Sequence, residues 1–309
     1  MNSGQQITLN VPLKKNKYLR TFSAEIDILT ENTILVRGQM RDHRFALEHV
    51  WTLRTPDYEV LTAGATQLAG NENNFAPELC QRYQAINGVR VGRGFSKRIL
   101  TALGDLPGTR EHLFLAIEMA RVGQQVYQFP PGFAAQFSAV AVTKTEAAKT
   151  SWLQDRAYMP DLVNSCYAYR DETAELFSQR EINCSFDSSL TRPKPGEQNF
   201  FWRHKKLSIS AQANGGHICQ SSMEDRIHDI QVEFELSHEG IISNAESRGL
   251  RLPYHGICED PHLRTAQLNG QQITSNFSRQ FAAQVGGSGG CTHIFDLATD
   301  CLKLFKFGE

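Results

Sequence analysis

The residues best suited to chemistry cluster near the C-terminus, in Gly286-Gly287-Ser288-Gly289-Gly290-Cys291-Thr292-His293. Glycines let the backbone approach another group closely, and a helix starting near Cys291 turns free N–H groups toward the loop. A thiol at a helix N-terminus beside an imidazole is where ionisation is favoured, so Cys291 reads as a thiolate nucleophile or a metal ligand. The plainer reading is a small buried hydrophobe after a tight strand-to-helix turn. His293 and Asp296 stand three apart and share a helical face, which lets the carboxylate orient the ring. A second pair, His228-Asp229, falls on an expected strand beside the apolar Ile227 and Ile230. Adjacent strand residues point to opposite faces, so at most one of the pair faces a pocket directly, and His228 is the expected one.

Around this group stand Tyr254, in the turn Pro253-Tyr254-His255-Gly256-Ile257-Cys258, and Cys258 itself. His228, Cys258, Cys291 and His293 contain the donors of a Cys2His2 metal set. The two cysteines are 33 residues apart without a CxxC or HxxxH pair, which is not a zinc-finger pattern. No cofactor is therefore expected, with zinc or iron as the alternative.

The elements that must position these residues occur twice. Asn87-Gly88, Phe95-Ser96, Leu103-Gly104 and His112-Leu113-Phe114 recur as Asn269-Gly270, Phe277-Ser278, Val285-Gly286 and His293-Ile294-Phe295, at a nearly constant spacing of 182 positions. Upstream, Met40-Arg41-Asp42 corresponds to Met223-Glu224-Asp225, and Leu47, His49, Trp51 and Leu53 to Ile230, Val232, Phe234 and Leu236. The latter runs alternate at period two, as half-buried strands do. Each copy reads as antiparallel strands followed by helices, with helical candidates at Phe277–Val285 and at Thr292–Phe305. In the second candidate Ile294, Leu297, Ala298, Cys301 and Phe305 fall on one face. The expected fold class is α+β, with two related lobes, each an antiparallel sheet with packed helices, arranged as a pseudo-dimer. Residues 1–195 form the first copy, including an extension over about 130–185 with a helix from Ala134 to Gln154. Residues 196–309 form the second, after a Pro- and Ser-rich linker that runs from Phe186 to Asn199.

The second copy carries Arg226-Ile227-His228-Asp229-Ile230, Leu252-Pro253-Tyr254 through Cys258, Leu268-Asn269-Gly270-Gln271-Gln272-Ile273, and Gly290-Cys291-Thr292-His293-Ile294. This order resembles the bacterial domain-of-unknown-function family 2889, whose pattern runs from a His-Asp pair through a Pro-Tyr…Cys turn to Gly-Cys-Thr-His-Leu at a helix start. Asn164-Ser165-Cys166-Tyr167-Ala168 resembles that family's C-terminal Ser-Cys-His-Ala segment. The resemblance locates a site and brings no established activity. The first copy departs where chemistry would occur: Phe45-Ala46 stand in place of His228-Asp229, Arg110-Glu111 in place of Cys291-Thr292, and Ala76 opposite Cys258 unless a gap brings in Cys80. His112, opposite His293, is retained.

Composition narrows the partners. With 40% hydrophobic and 21% charged residues the chain is globular rather than disordered, and a net charge of −1 supplies no field to gather a polyanion. Nucleic acid and membrane are not expected partners. The basic clusters at Arg90, Arg93, Lys97 and Arg98 and at Arg203-His204-Lys205-Lys206 read as solvated faces. The start Met1–Gln6 lacks signal-peptide character, and seven cysteines without a CxxC fit reduced thiols, so a cytoplasmic location is expected. No P-loop or GxSxG occurs. The expectation is a cofactor-independent enzyme, of isomerase, lyase or cyclase type or a thiol-assisted hydrolase, acting on a small, largely apolar molecule in a pocket between the copies. Its catalytic set is His293, Cys291, Asp296, His228 and Asp229, with Thr292, Tyr254, Cys258 and His112 contacting substrate. The alternative is a non-catalytic metal- or ligand-binding protein, and a monomer is favoured over a homodimer.

Overall fold

A computed structural model describes residues 7–70, 75–137, 143–185 and 188–307. In chain order the strands and helices are β1 (Ile7–Leu9), β2 (Lys17–Thr30), β3 (Thr33–Asp42), β4 (Phe45–Arg54), β5 (Glu59–Gly70), α1 (Leu79–Arg82), α2 (Phe95–Leu103) and α3 (Thr109–Gly123). There follow α4 (Lys144–Tyr158), α5 (Thr173–Gln179), β6 (Asn183–Cys184), β7 (Phe201–Ala211), β8 (His217–Asp225), β9 (Asp229–Leu236) and β10 (Ile242–Arg251). The chain closes with β11 (Tyr254–His255), α6 (Asp260–Leu263), α7 (Phe277–Val285), α8 (Thr292–Leu302) and β12 (Phe305–Phe307). The class is α+β, with antiparallel strand pairing and helices packed on the strands, as the patterning predicts.

Two compact units are present, each assembled from separated stretches: Arg20–Phe129 with Asp187–Lys205, and Met1–Leu19 with Pro130–Phe186 and Lys206–Glu309. In the first, the strand order is β7-β2-β3-β4-β5. Alternation dictates the buried face: Phe22, Ala24, Ile26 and Ile28 on β2, Ile34, Val36 and Met40 on β3, and Leu47, Trp51 and Leu53 on β4. Helix α3 covers that face with Leu115, Ala116, Met119 and Val122, spaced as one helical stripe. The approach is close enough that a Cβ on Gly38 of β3 would stand 2.6 Å from Met119 Cγ. The Pro- and Ser-rich stretch is no free tether. Ile28 N donates to Glu197 O at 2.8 Å, and Gly196 N and Phe200 N donate to Ile28 O and Ile26 O, so the segment is strapped along β2. Phe186 and Asp187, like Met1–Gln6, lie outside the described residues.

In the second unit β10-β9-β8-β7 lie in order, with β9 antiparallel to both β8 and β10. Cys219, Met223, Ile230, Val232, Phe234 and Leu236 from the strands pack with Phe277, Phe281 and Val285 of α7 and Ile294, Leu297, Ala298 and Cys301 of α8. Helix α7 spans the expected Phe277–Val285, whereas α8 stops at Leu302. Phe305 is buried, but as part of β12, which pairs with β1. The extension belongs to this unit. The helix expected over Ala134–Gln154 is instead a 3-10 turn at Ala134–Phe137 and α4 from Lys144; residues 138–142 lie outside the described residues. Helix α4 begins at a capping box, where Thr143 Oγ1 accepts from Glu146 N and Glu146 reaches back to Thr143 N. Its Ala148 and Trp152 form a small core with Tyr167, Phe177, Tyr254 and Ile257, and β6 pairs with β11.

Candidate active site

All but one of the expected site residues lie in the second unit, and the fold brings most of them to one end of its strands. His228 immediately precedes β9, and the start of α8 carries His293. The two imidazole centroids are 4.1 Å apart with the rings inclined at 49°. His228 is 6% exposed, whereas His293 is half-buried. His228, expected on the same strand as Asp229, lies in the turn before β9; Asp229, next in sequence, is half-buried and opens that strand. Burial and nearby Glu224 raise its carboxyl above the usual range, with Arg251 acting in the opposite sense.

The carboxylate that holds His228 is Asp225, a residue the sequence reasoning did not single out. Asp225 Oδ1 stands 3.1 Å from His228 Nδ1 and accepts from the backbone N–H groups of Ile227 and His228 at 2.7 Å each. A carboxylate only accepts in these bonds, so His228 Nδ1 donates, and in the neutral ring Nε2 carries the lone pair. The aligned Met40-Arg41-Asp42 was the available signal for Asp225, because Asp42 occupies the matching place. Asp296 is buried on α8 and bears electrostatically on Cys291.

Cys291 is the N-cap of α8, as the glycine-rich approach predicts, but its ionisation goes against the helix-terminus expectation. Burial pushes the thiol up to about 12, aided by Cys166 and Asp296; the N–H groups of Ile294 and His293 pull downward and do not prevail. Cys258 is raised well above the ordinary thiol range, again by burial first and then by Cys166 and Cys291, and Cys166 is raised by its burial. Cys166, Cys258 and Cys291 thus form a cluster of neutral thiols at neutral pH. The extension supplies Cys166: Tyr167 N donates to Gly290 O at 2.8 Å, bringing its turn against the glycine loop, and Thr292 Oγ1 lies 3.5 Å from Ser165 O. Tyr254 is fully buried. Its hydroxyl donates to Asp155 Oδ2 at 2.9 Å, and Tyr169 donates to the same oxygen at 2.7 Å, so the Pro-Tyr turn is tied to α4.

His112 lies in the other unit and is engaged there. Its Nδ1 stands 3.0 Å from His49 Nε2, and His49 Nδ1 is 2.7 Å from the Tyr83 hydroxyl, which accepts from Trp51 Nε1 at 3.1 Å. Neutral groups satisfy this chain in one direction: Trp51 donates to Tyr83, Tyr83 to His49 and His49 to His112. Among the described residues no group of three or more His, Cys, Asp or Glu side chains is arranged to hold a metal ion. Nor is any described helix long and apolar enough to cross a membrane.

The fold and this geometry define an α+β chain in which one sheet-and-helix unit sets paired imidazoles beside partly buried thiols. Residues 209–304, which carry every element of that pairing, match the model of a family described as "Protein of unknown function (DUF2889)". No curated protein matches the chain. Among solved structures, a Clostridium difficile 630 protein described as a "putative lipoprotein" is similar over 76% of this chain and 84% of that one. Its identity of 8% and TM-score of 0.11 carry no argument about fold or function.

Proposed function

We propose that the protein is an enzyme of proton-transfer chemistry, an isomerase, lyase or cyclase acting on a small, largely apolar molecule, with His293 as general acid/base. The observation that carries this is the His228–His293 contact at 4.1 Å with Asp225 fixing the buried ring. Asp225 sets the tautomer of His228 and leaves its Nε2 as an acceptor, while the more exposed His293 meets the substrate. Two imidazoles side by side allow one to remove a proton as the other returns one. Cys258, Cys291 and Phe295, partly buried against the core, supply an apolar surface for the substrate, with the thiols neutral rather than nucleophilic.

We also infer that the two units descend from one duplicated domain. What supports this is recurrence of individual bonds: Gly88 N donates to Val60 O at 2.7 Å, and Gly270 N donates to Ile242 O at 2.8 Å. The isolated bridge Glu59↔Arg90 likewise answers Ile241↔Gln272, and α2 answers α7. The helical histidines His112 and His293 answer one another, although their ring partners His49 and His228 come from different strand positions.

The test is hydrogen–deuterium exchange into a panel of small apolar ketones and enones in heavy water, followed by NMR. The expected result is exchange above buffer for at least one compound, falling by about 100-fold in His293→Gln. No exchange above buffer, or exchange undiminished in both His293→Gln and His228→Gln, rejects the reading.

A further inference from the structure

The face of β7–β10 turned away from α7 and α8 carries a groove of about 510 Å³. Its volume falls within the range of small-molecule sites, but its lining is unlike the apolar surroundings of the paired histidines. Ser208, Gln220, Ser222 and Gln231 turn their side chains to the groove, whereas Ser221 Oγ donates to Leu297 O on the opposite face and Ser247 Oγ bonds Thr265. The alternation of β7 explains the arrangement. Leu207 and Ile209 point into the core, so Lys206 and Ser208 face the opposite way.

The charges in this groove are unevenly satisfied. Glu246 accepts from Arg248 at 3.0 Å, and Glu233 accepts from Gln220 Nε2 at 2.6 Å. Lys17 and Lys206 are exposed, and neither makes an ion pair among the described residues. They belong to neighbouring strands, β2 and β7, and so stand on the same side of the groove, with Glu233 and Glu246 on β9 and β10 at the other. Between them Ser208, 4% exposed, has a hydroxyl with no hydrogen-bond partner among the described residues. A buried hydroxyl normally finds a partner, so its lack of one marks unused bonding capacity in the floor.

We propose that this groove binds an anionic, polyhydroxylated small molecule, a sugar acid or sugar phosphate. The two lysines take the oxyanion. Ser208, Ser222, Gln220 and Gln231 meet the hydroxyl groups, and the glutamates at the far wall accept from them. A polyanion such as nucleic acid is disfavoured, because the chain as a whole carries a net charge of −1 and the far wall is acidic. The groove lies on the opposite face of the strands from α8, so this assignment is independent of the acid/base chemistry proposed above.

Isothermal titration calorimetry of the full chain with glucuronate and with glucose 6-phosphate tests it, with glucose and inorganic phosphate as the neutral and charge-only probes. The expected result is saturable binding of at least one anionic sugar, about tenfold or more tighter than either probe alone. Lys17→Gln/Lys206→Gln should weaken it by about tenfold or more, as should high salt, without moving the melting transition, since both side chains are exposed. Binding of a sugar acid but not a sugar phosphate, or the reverse, identifies which oxyanion is recognised. Saturable binding by neither anionic sugar, or equal affinity in the double variant, overturns the proposal.

Discussion

His49 Nε2 lies 3.0 Å from His112 Nδ1, with both rings closed off from solvent. Burial holds the His112 imidazole down to about 4 and His49 well below the usual histidine range. Unfolding releases both rings to titrate normally, so between about pH 6.5 and about pH 4 the unfolded chain binds more protons. The stability these residues confer is therefore complete above the ordinary histidine value and lost as pH falls toward 4. For His112 the loss is about 3 kcal/mol. Urea midpoints measured at about pH 7 and about pH 4.5 should show this fall, and His112→Phe should reduce it. An unchanged slope in that variant places the titrating groups elsewhere.

The raised Cys291 thiol makes a second expectation. With ionisation at about 12, the native protein presents almost no thiolate there at neutral pH. Iodoacetamide labelling of the Cys291 peptide should be slower by about 100-fold in buffer than in guanidinium, judged by mass spectrometry. Native labelling as fast as free cysteine would contradict the buried thiol cluster.

Tyr254→Phe removes one of the two hydroxyl donors to Asp155 Oδ2 in a fully buried setting. The expected cost is about 1–2 kcal/mol, because the carboxylate keeps Tyr169 but loses one partner. Thermal melting of the variant measures it, and a change near zero would mean that Tyr254 is not tied in this way.

Gly290 carries a packing constraint without backbone strain. A Cβ there would meet Val285 O at 2.1 Å, a backbone atom that cannot swing aside. Gly290→Ala should destabilise by about 3 kcal/mol, compared with far less for Gly270→Ala at stability measured in urea; the latter position has open space, though its positive φ adds some strain. Equal losses at the two positions would show that crowding is not what limits Gly290.

Much of the scaffold was legible because apolar period alone sets it. Ile230, Val232, Phe234 and Leu236 alternate and are all buried, and Phe277–Val285 is a helix from end to end. Phe305 satisfied the helical spacing of α8, yet pairing with β1 claimed it, since spacing cannot see a strand from the opposite terminus. The histidine and cysteine members of the site were readable from type and order. Asp225 was not, because a carboxylate three residues ahead of a histidine is unremarkable until a turn folds it back. His49 was hidden in a core position of an alternating strand, where its partners Tyr83 and His112 lie 34 and 63 residues away. The direction of the Cys291 shift was equally hidden, since it depends on how completely Cys166 and the loop enclose the sulfur.

The pairing of β1 with β12 sets Ile7 opposite Phe307. A chain made from its N-terminus onward therefore carries β1 unpaired until β12 has been added. The unit holding the paired histidines can close only once Phe305–Phe307 have been made. Truncation before Phe305 would leave α8 intact and still strand Ile7 without its partner.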